Sequence, residues 1–345
     1  MKKKVAFYWC ASCGGCEEAV VDLAEFLLDA LEQIEIVFWP VAMDFKIEDV
    51  EQLTDGEIFA SFINGAVLLS DQEEVVRLLR RKSQVVVAFG SCSHQGGVPG
   101  LINTHDRQDV FDYYYHNGPT VQRNGNEMPT PTGAKAFHVA LPEYYGKARP
   151  LNQVIEVDYY IPGCAPPPNV VKDALLQLLS DSPPPRGTVL AGAHSLCSEC
   201  PLNETKPPEG FKIKQFVRPS QVTHIDPDTC LLMQGLPCLG PVTRSGCNAL
   251  CIKGHMPCTG CFGPLDGVRD FGAAALSFLA SLIDSNDEAE IQRIIDEGLP
   301  DPLGTFYMYS FPGSLLNEVL QKGRQKARAW REREETVEAH STENQ

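Results

Sequence analysis

The chain opens on a short apolar run, Val5-Ala6-Phe7-Tyr8-Trp9, with lysines before it and Cys10 after it, the pattern of a buried strand. From Glu17 to Leu31 the period changes. Val20, Val21, Leu23, Ala24, Leu27, Leu28 and Leu31 recur at helical spacing with acids between them, which predicts one amphipathic helix. Ile34 to Trp39 is the next strand, stopped by Pro40, and Ile58 to Leu69 is a further strand region. Asp71 to Lys82 predicts a helix whose last turn carries Arg80, Arg81 and Lys82, suited to the negative end of the helix dipole. Gln84 to Phe89 is an almost wholly apolar strand, and Val157 to Ile161 a later one. Strands alternating with helices predict an α/β fold with a mostly parallel, doubly wound sheet. Between Gly100 and Val154 the periodicity dissolves into Tyr113-Tyr114-Tyr115, Asn124-Gly125-Asn126 and Pro129-Thr130-Pro131, a long irregular insertion. Pro183-Pro184-Pro185-Arg186-Gly187 punctuates the chain and sets the expected domain boundary, giving units 1–185 and 186–345.

Charge narrows the function classes. Lys and Arg number 29 and Asp and Glu 45, a net −16, which speaks against nucleic acid and anionic membranes as partners. No apolar run approaches the ~18 residues of a membrane span. The lysine-rich start leads straight into a short strand, without the apolar region and cleavage site of a secretory signal, so a cytoplasmic protein is expected. In that reducing setting the 13 cysteines point to metal or redox chemistry rather than disulfides.

Their placement sharpens this. Cys10, Cys13 and Cys16 follow the first strand as two overlapping C-x2-C pairs; Gly90-Ser91-Cys92 follows the Gln84–Phe89 strand; Pro162-Gly163-Cys164-Ala165-Pro166-Pro167 follows the Val157–Ile161 strand. Open α/β sheets bind ligands at the carboxyl ends of their strands, and thiolates there favour a soft metal. The other cysteines, 197, 200, 230, 238, 247, 251, 258 and 261, crowd a Gly- and Pro-rich segment with little regular structure, whose fold is expected to depend on bound metal. Structural zinc and iron–sulfur clusters both take four thiolates. Thiolates at a ligand-binding sheet edge have no scaffold task, which favours clusters.

Cys13-Gly14-Gly15-Cys16-Glu17, Gly90-Ser91-Cys92, Pro162-Gly163-Cys164-Ala165-Pro166-Pro167, the stretch Gly235 to Cys247 and the close Pro257-Cys258-Thr259-Gly260-Cys261-Phe262-Gly263-Pro264 together resemble the small subunit of a cytoplasmic [NiFe] hydrogenase. The resemblance is to the viologen-reducing and deazaflavin-reducing group associated with heterodisulfide reductase, and runs to about residue 320. It implies a flavodoxin-like first domain carrying a proximal cluster on Cys13, Cys16, Cys92 and Cys164, with Cys10 a spare thiol. It implies a second, irregular iron–sulfur domain with a medial cluster on Cys247, Cys251, Cys258 and Cys261 and a distal one on Cys197, Cys200, Cys230 and Cys238, three [4Fe-4S] clusters in all. A helical C-terminal region and a polar tail from Lys326 complete that domain.

The implied function is electron transfer between the active site of a separate large subunit and a further iron–sulfur or flavin subunit. Glu17 is the candidate for proton transfer near the large subunit, against a plain helix-start role. His94 is a candidate donor to a cluster sulfur, His194 is expected at or near the surface, and Phe7, Tyr8, Trp9 and Trp39 are expected in the core. Three other readings stay open: a relay subunit whose large subunit lacks nickel, a quinone oxidoreductase subunit of the complex I type, and a zinc-stabilised interaction protein.

Overall fold

The computed structural model describes residues 2–122 and 141–327. The expectations for Asn124-Gly125-Asn126, Pro129-Thr130-Pro131 and the tail beyond residue 327 fall outside the described residues. The strands are β1 (Lys3–Trp9), β2 (Ile34–Phe38), β3 (Ile58–Asn64), β4 (Val67–Leu69), β5 (Ser83–Phe89), β6 (Tyr144–Arg149) and β7 (Tyr159–Ile161). The helices of the first half are α1 (Gly15–Val21), α2 (Glu25–Leu31), α3 (Ile47–Glu51), α4 (Ser70–Lys82), α5 (Ser91–Gln95), α6 (Arg107–Asp112) and α7 (Pro168–Leu179).

Five strands form one sheet in the order β2-β1-β3-β5-β7, every pair parallel. Helices cover both faces, which is why the strands are apolar runs rather than alternating ones. Phe7, Phe62, Val87, Phe89 and Ile161 point to the side where Val20 of α1 and Val171, Ala174 and Leu178 of α7 pack. Ala6, Ile63, Val86 and Ala88 point to the other, against Val75, Val76 and Leu79 of α4. The strand order reverses between β1 and β3, and a ligand crevice opens at the carboxyl edge of such a switch point.

A buried carboxylate fixes the last strand. Asp158, 1% exposed, meets Arg80 at 2.6 Å and Arg186 at 2.8 Å and accepts the Val86 N–H at 2.7 Å. It ties β7 to β5, to α4 and to the Pro-rich stretch.

The structure departs from the sequence expectations in four places. The single helix over 17–31 is two, because Ala24 leaves helical geometry at φ 49°; Leu23 and Ala30 are buried, while Val21 and Leu28 are exposed. The insertion is less irregular than expected. It contains α6 and β6, and β6 pairs antiparallel with β4 through backbone bonds that need no apolar period. Trp9 is 38% exposed rather than in the core, since the end of β1 runs past the packed region. The cysteine-rich segment does bury apolar surface. Leu196, Leu231, Leu236 and Ile252 share a core with Phe271, Leu279 and Phe306. Helix α8 (Leu250–Lys253) lies within that segment, and α9 (Phe271–Ser281), α10 (Glu288–Gly298) and α11 (Pro302–Phe306) follow it. The later helices supply the apolar area that the segment lacks, and residues 315–327 are helical again.

Candidate metal centres

The loop after β1 turns into α1 at Gly14, whose φ of 87° needs no Cβ. That turn leaves Cys13 exposed and Cys16 buried. Burial pushes the Cys16 thiol well above its usual range, and the thiols of Cys92, Cys164 and Cys13 lie near enough to push it further. Burial also raises Cys92 to about 12, again with Cys164 and Cys13 adding to the shift. These four sulfurs, from the ends of β1, β5 and β7, face one place. Two glycines let them. A Cβ at Gly90 would sit 2.3 Å from Cys16 Sγ, and one at Gly97 2.4 Å from Cys92 Sγ.

Cys10 is elsewhere. It is buried in the opposite core layer with Ala6, Ile63 and Val86.

Glu17 is also buried, at 6% exposure. Trp39 Nε1 donates to one carboxylate oxygen and Asn64 Nδ2 to the other. Burial raises the Glu17 pKa, and these two hydrogen bonds oppose the rise. Asn64 Oδ1 accepts from Ser12 Oγ at 3.0 Å, so a polar line runs from Glu17 to the half-buried Ser12 in the cysteine loop. Trp39 was predictable as core and is core, its ring tilted against Phe7 at 4.8 Å between centroids; its hydrogen bond to Glu17 was not visible in the sequence. Asn64 had a signal, as the polar residue that ends a largely apolar strand.

The second group gathers round a small pocket walled by Cys197, Cys200, Cys230 and Cys238 and by Leu196, Leu202, Leu231, Leu232 and Ile252. Gly240 sits between two of its thiols: a Cβ there would lie 3.6 Å from Cys238 Sγ and 3.8 Å from Cys197 Sγ. Burial lifts Cys238 to about 11, against hydrogen bonds from the Gly240 and Cys258 N–H groups. Lys206, which sequence reasoning missed, donates to Cys197 Sγ at 3.2 Å.

The third group lies between the other two. Burial raises Cys261 to about 12; the Cys164 N–H opposes this, and the thiols of Cys247, Cys251 and Cys164 reinforce it. Cys258 is raised by burial, then by Cys238 and Cys261. Its own N–H donates to Cys238 Sγ at 3.3 Å. Cys164 therefore abuts Cys261, and Cys258 abuts Cys238. Ser91 Oγ, donating to the Cys261 carbonyl at 2.5 Å, locks the first group to the third.

Such thiols fit a bound cationic group with soft metal centres. Burial penalises the bare thiolates, and a metal that displaces their protons restores the charge balance. The sulfurs are gathered more loosely than one ion needs: among the described residues no three His, Cys, Asp or Glu side chains could hold a single metal ion. The two histidines do not join them. His194 is exposed. His94 packs tilted against Tyr160, ring centroids 4.7 Å apart, and its Nδ1 is buried without a partner. Burial, with Arg244 nearby, pushes the His94 pKa down to about 4. Among the described residues no bond from His94 to a cysteine thiol is formed, and its ring packs against Tyr160 of β7.

Comparison with known proteins adds the family. The F420-non-reducing hydrogenase iron-sulfur subunit of Archaeoglobus profundus is 38% identical over 327 residues, covering 93% of this chain and 100% of that protein. This chain belongs to that family of F420-non-reducing hydrogenase subunits. Another member, from Methanothermobacter thermautotrophicus, is 32% identical over 93% of this chain and 98% of its own length. The family described as NADH ubiquinone oxidoreductase, 20 Kd subunit, matches residues 13–178, which hold the first cysteine group and none of the eight later cysteines. A solved NAD+-reducing [NiFe]-hydrogenase in the H2-reduced state is similar over 53% of this chain and 94% of that one, at 28% identity and a TM-score of 0.46. The protein is thus an oxidoreductase subunit of the hydrogenase type, serving electron transfer. No helix among the described residues is long and apolar enough to cross a membrane.

Proposed function

We propose that this chain relays electrons through three [4Fe-4S] clusters, between the active site of a [NiFe]-hydrogenase-type large subunit and a further iron–sulfur or flavin subunit in the cytoplasm. The observation that carries the reading is the order of the thiols, with Cys164 against Cys261 and Cys258 against Cys238. A cluster of this kind, when bound, supplies one-electron redox chemistry whose potential follows charge, hydrogen bonds to sulfur and burial. The protein's part is to hold, space and shield. Cys13, Cys16, Cys92 and Cys164 are the proposed proximal ligands, Cys247, Cys251, Cys258 and Cys261 the medial, and Cys197, Cys200, Cys230 and Cys238 the distal.

Units 1–185 and 186–345 are the corresponding proximal and medial–distal domains. The exposed Cys13, Cys164 and Trp9 mark the edge proposed to meet the large subunit. Glu17 is proposed as the proton-holding group behind that edge, with Asn64 and Ser12 leading toward the cysteine loop. Glu17→Gln then slows hydrogen–deuterium exchange while every cluster remains; unchanged exchange leaves Glu17 a brace between the loop and the ends of β2 and β3.

The test of the relay is one serine per group, Cys16→Ser, Cys251→Ser and Cys200→Ser, read by electron paramagnetic resonance on the reduced complex. Each removes or converts a different signal, and loss of none refutes the ligand sets. The match to the quinone oxidoreductase family favours a second reading, in which only the first group holds a cluster. Signals that respond to Cys16→Ser alone would support it. Zinc in the later cysteines would mark a structural scaffold, and a complex without nickel a relay of another assembly.

A further inference from the structure

We infer that Lys206 is a positioning residue that raises the reduction potential of the distal centre through its hydrogen bond to Cys197. The inference rests on the distal ligand set proposed above. Lys206 Nζ donates to Cys197 Sγ at 3.2 Å, and Asn203 Oδ1 accepts from the same ammonium at 2.9 Å. The ammonium is thus aimed at one sulfur rather than free on its stem. The loop that carries it is pinned to the same centre, because Thr205 Oγ1 accepts the Cys230 N–H at 2.9 Å. Lys206 is half-buried and lines the pocket that the four thiols enclose.

The physics has one sign. Four thiolates and a cluster carry net negative charge, and reduction adds one more. A fixed ammonium on a ligand sulfur stabilises the reduced form more than the oxidised form, so the centre accepts an electron more readily. In a chain of net charge −16 this local cation acts against the general field. It biases electrons toward the distal centre.

The test is a potentiometric titration of the intact complex, followed by electron paramagnetic resonance. In Lys206→Met the reduced-to-oxidised ratio of the distal signal at a fixed potential should fall about tenfold, a shift of about 59 mV to more negative potential for a one-electron centre. The other two signals should not move, and Lys206→Arg should restore most of the shift. Asn203→Ala, which frees the ammonium without removing it, should shift the same signal in the same direction by less. An unmoved distal potential in Lys206→Met, or an equal shift in all three signals, overturns the inference. Should Lys206→Met lose the cluster, Asn203→Ala decides, and an unmoved potential there overturns it. A Cys200→Ser complex that keeps every signal refutes the ligand set itself, a different result that removes this inference with it.

Discussion

Gly90→Ala should empty the proximal site. Gly90 has φ 83° and ψ 164°, a region that residues other than glycine enter at a cost of about 1–3 kcal/mol. The added Cβ would stand 2.3 Å from Cys16 Sγ, and ordinary contact begins at 3.4 Å, so the atoms must part by about 1.1 Å. Overpacking of this kind costs about 1–3 kcal/mol more. Together the terms reach about 2–6 kcal/mol, against a typical domain stability of about 5–15 kcal/mol. The fold survives at the lower end of that range. The metal site does not, because metal–thiolate distances tolerate only about 0.2 Å. The control is Gly187→Ala. Gly187 also has a positive φ, 89°, but no atom lies within 4 Å of its Cβ position, so it carries backbone strain alone. Iron and labile sulfide on the two purified complexes, with thermal unfolding, read the outcome. Gly90→Ala should lose about four iron atoms, one cubane's worth, and Gly187→Ala none. A Gly90→Ala complex with full iron and an unchanged proximal signal would refute the claim that Cys16 is a ligand held by this close approach.

Cys10→Ser should leave iron content intact, at a stability cost of about 1–3 kcal/mol for a hydroxyl in an apolar layer, whereas Cys16→Ser should lose the proximal cluster. The reverse result would move the ligand pair to Cys10 and Cys13. Asp158→Ala should destabilise the sheet domain by about 3 kcal/mol in denaturant unfolding, because Arg80 and the Val86 N–H lose their buried acceptor. Glu73 is held down to about 2, chiefly by the hydrogen bond from Arg149 on β6. Its pKa is depressed in the folded chain, so its contribution is full above about pH 4.5 and is lost as pH falls toward 2. Glu73→Gln should therefore flatten the stability profile across that window, and an unchanged slope would show that the β4–β6 ribbon does not depend on this ion pair.

Much of the site was legible because its logic is topological. A parallel sheet presents its ligands at the carboxyl edge, and the three apolar runs followed by cysteine point Cys10, Cys13, Cys16, Cys92 and Cys164 to that edge; the family resemblance singles out the four without Cys10. The choice of Cys16 over Cys10 rests on the resemblance, whose C-x2-C-E pattern Cys13, Cys16 and Glu17 fit. In the fold the two thiols lie in opposite core layers, Cys10 just past β1 and Cys16 in α1, a difference strand alternation does not show. What the sequence hid depends on turns and on the backbone. The break at Ala24 has no compositional mark, since alanine favours the helix it leaves here. Strand β6 is held by backbone bonds to β4 and shows no apolar period. Lys206 reaches Cys197 only because two tight turns, Leu196–Glu199 and Asn203–Thr205, fold nine residues of chain back on themselves. The cohesion of the cysteine-rich segment was hidden for a related reason: its core partners, Phe271, Leu279 and Phe306, come later in the chain.

The relay is tested most directly by labile sulfide, measured on the anaerobically purified complex of this chain with its large subunit alone. Sulfide is present only where iron–sulfur clusters are, so the assay separates them from zinc held by the same thiols. Three cubanes predict about twelve sulfides per chain, with about as many iron atoms beyond the large subunit's own active-site iron, and no zinc in the later cysteines. About four sulfides, or zinc in place of iron in the later cysteines, would contradict the relay.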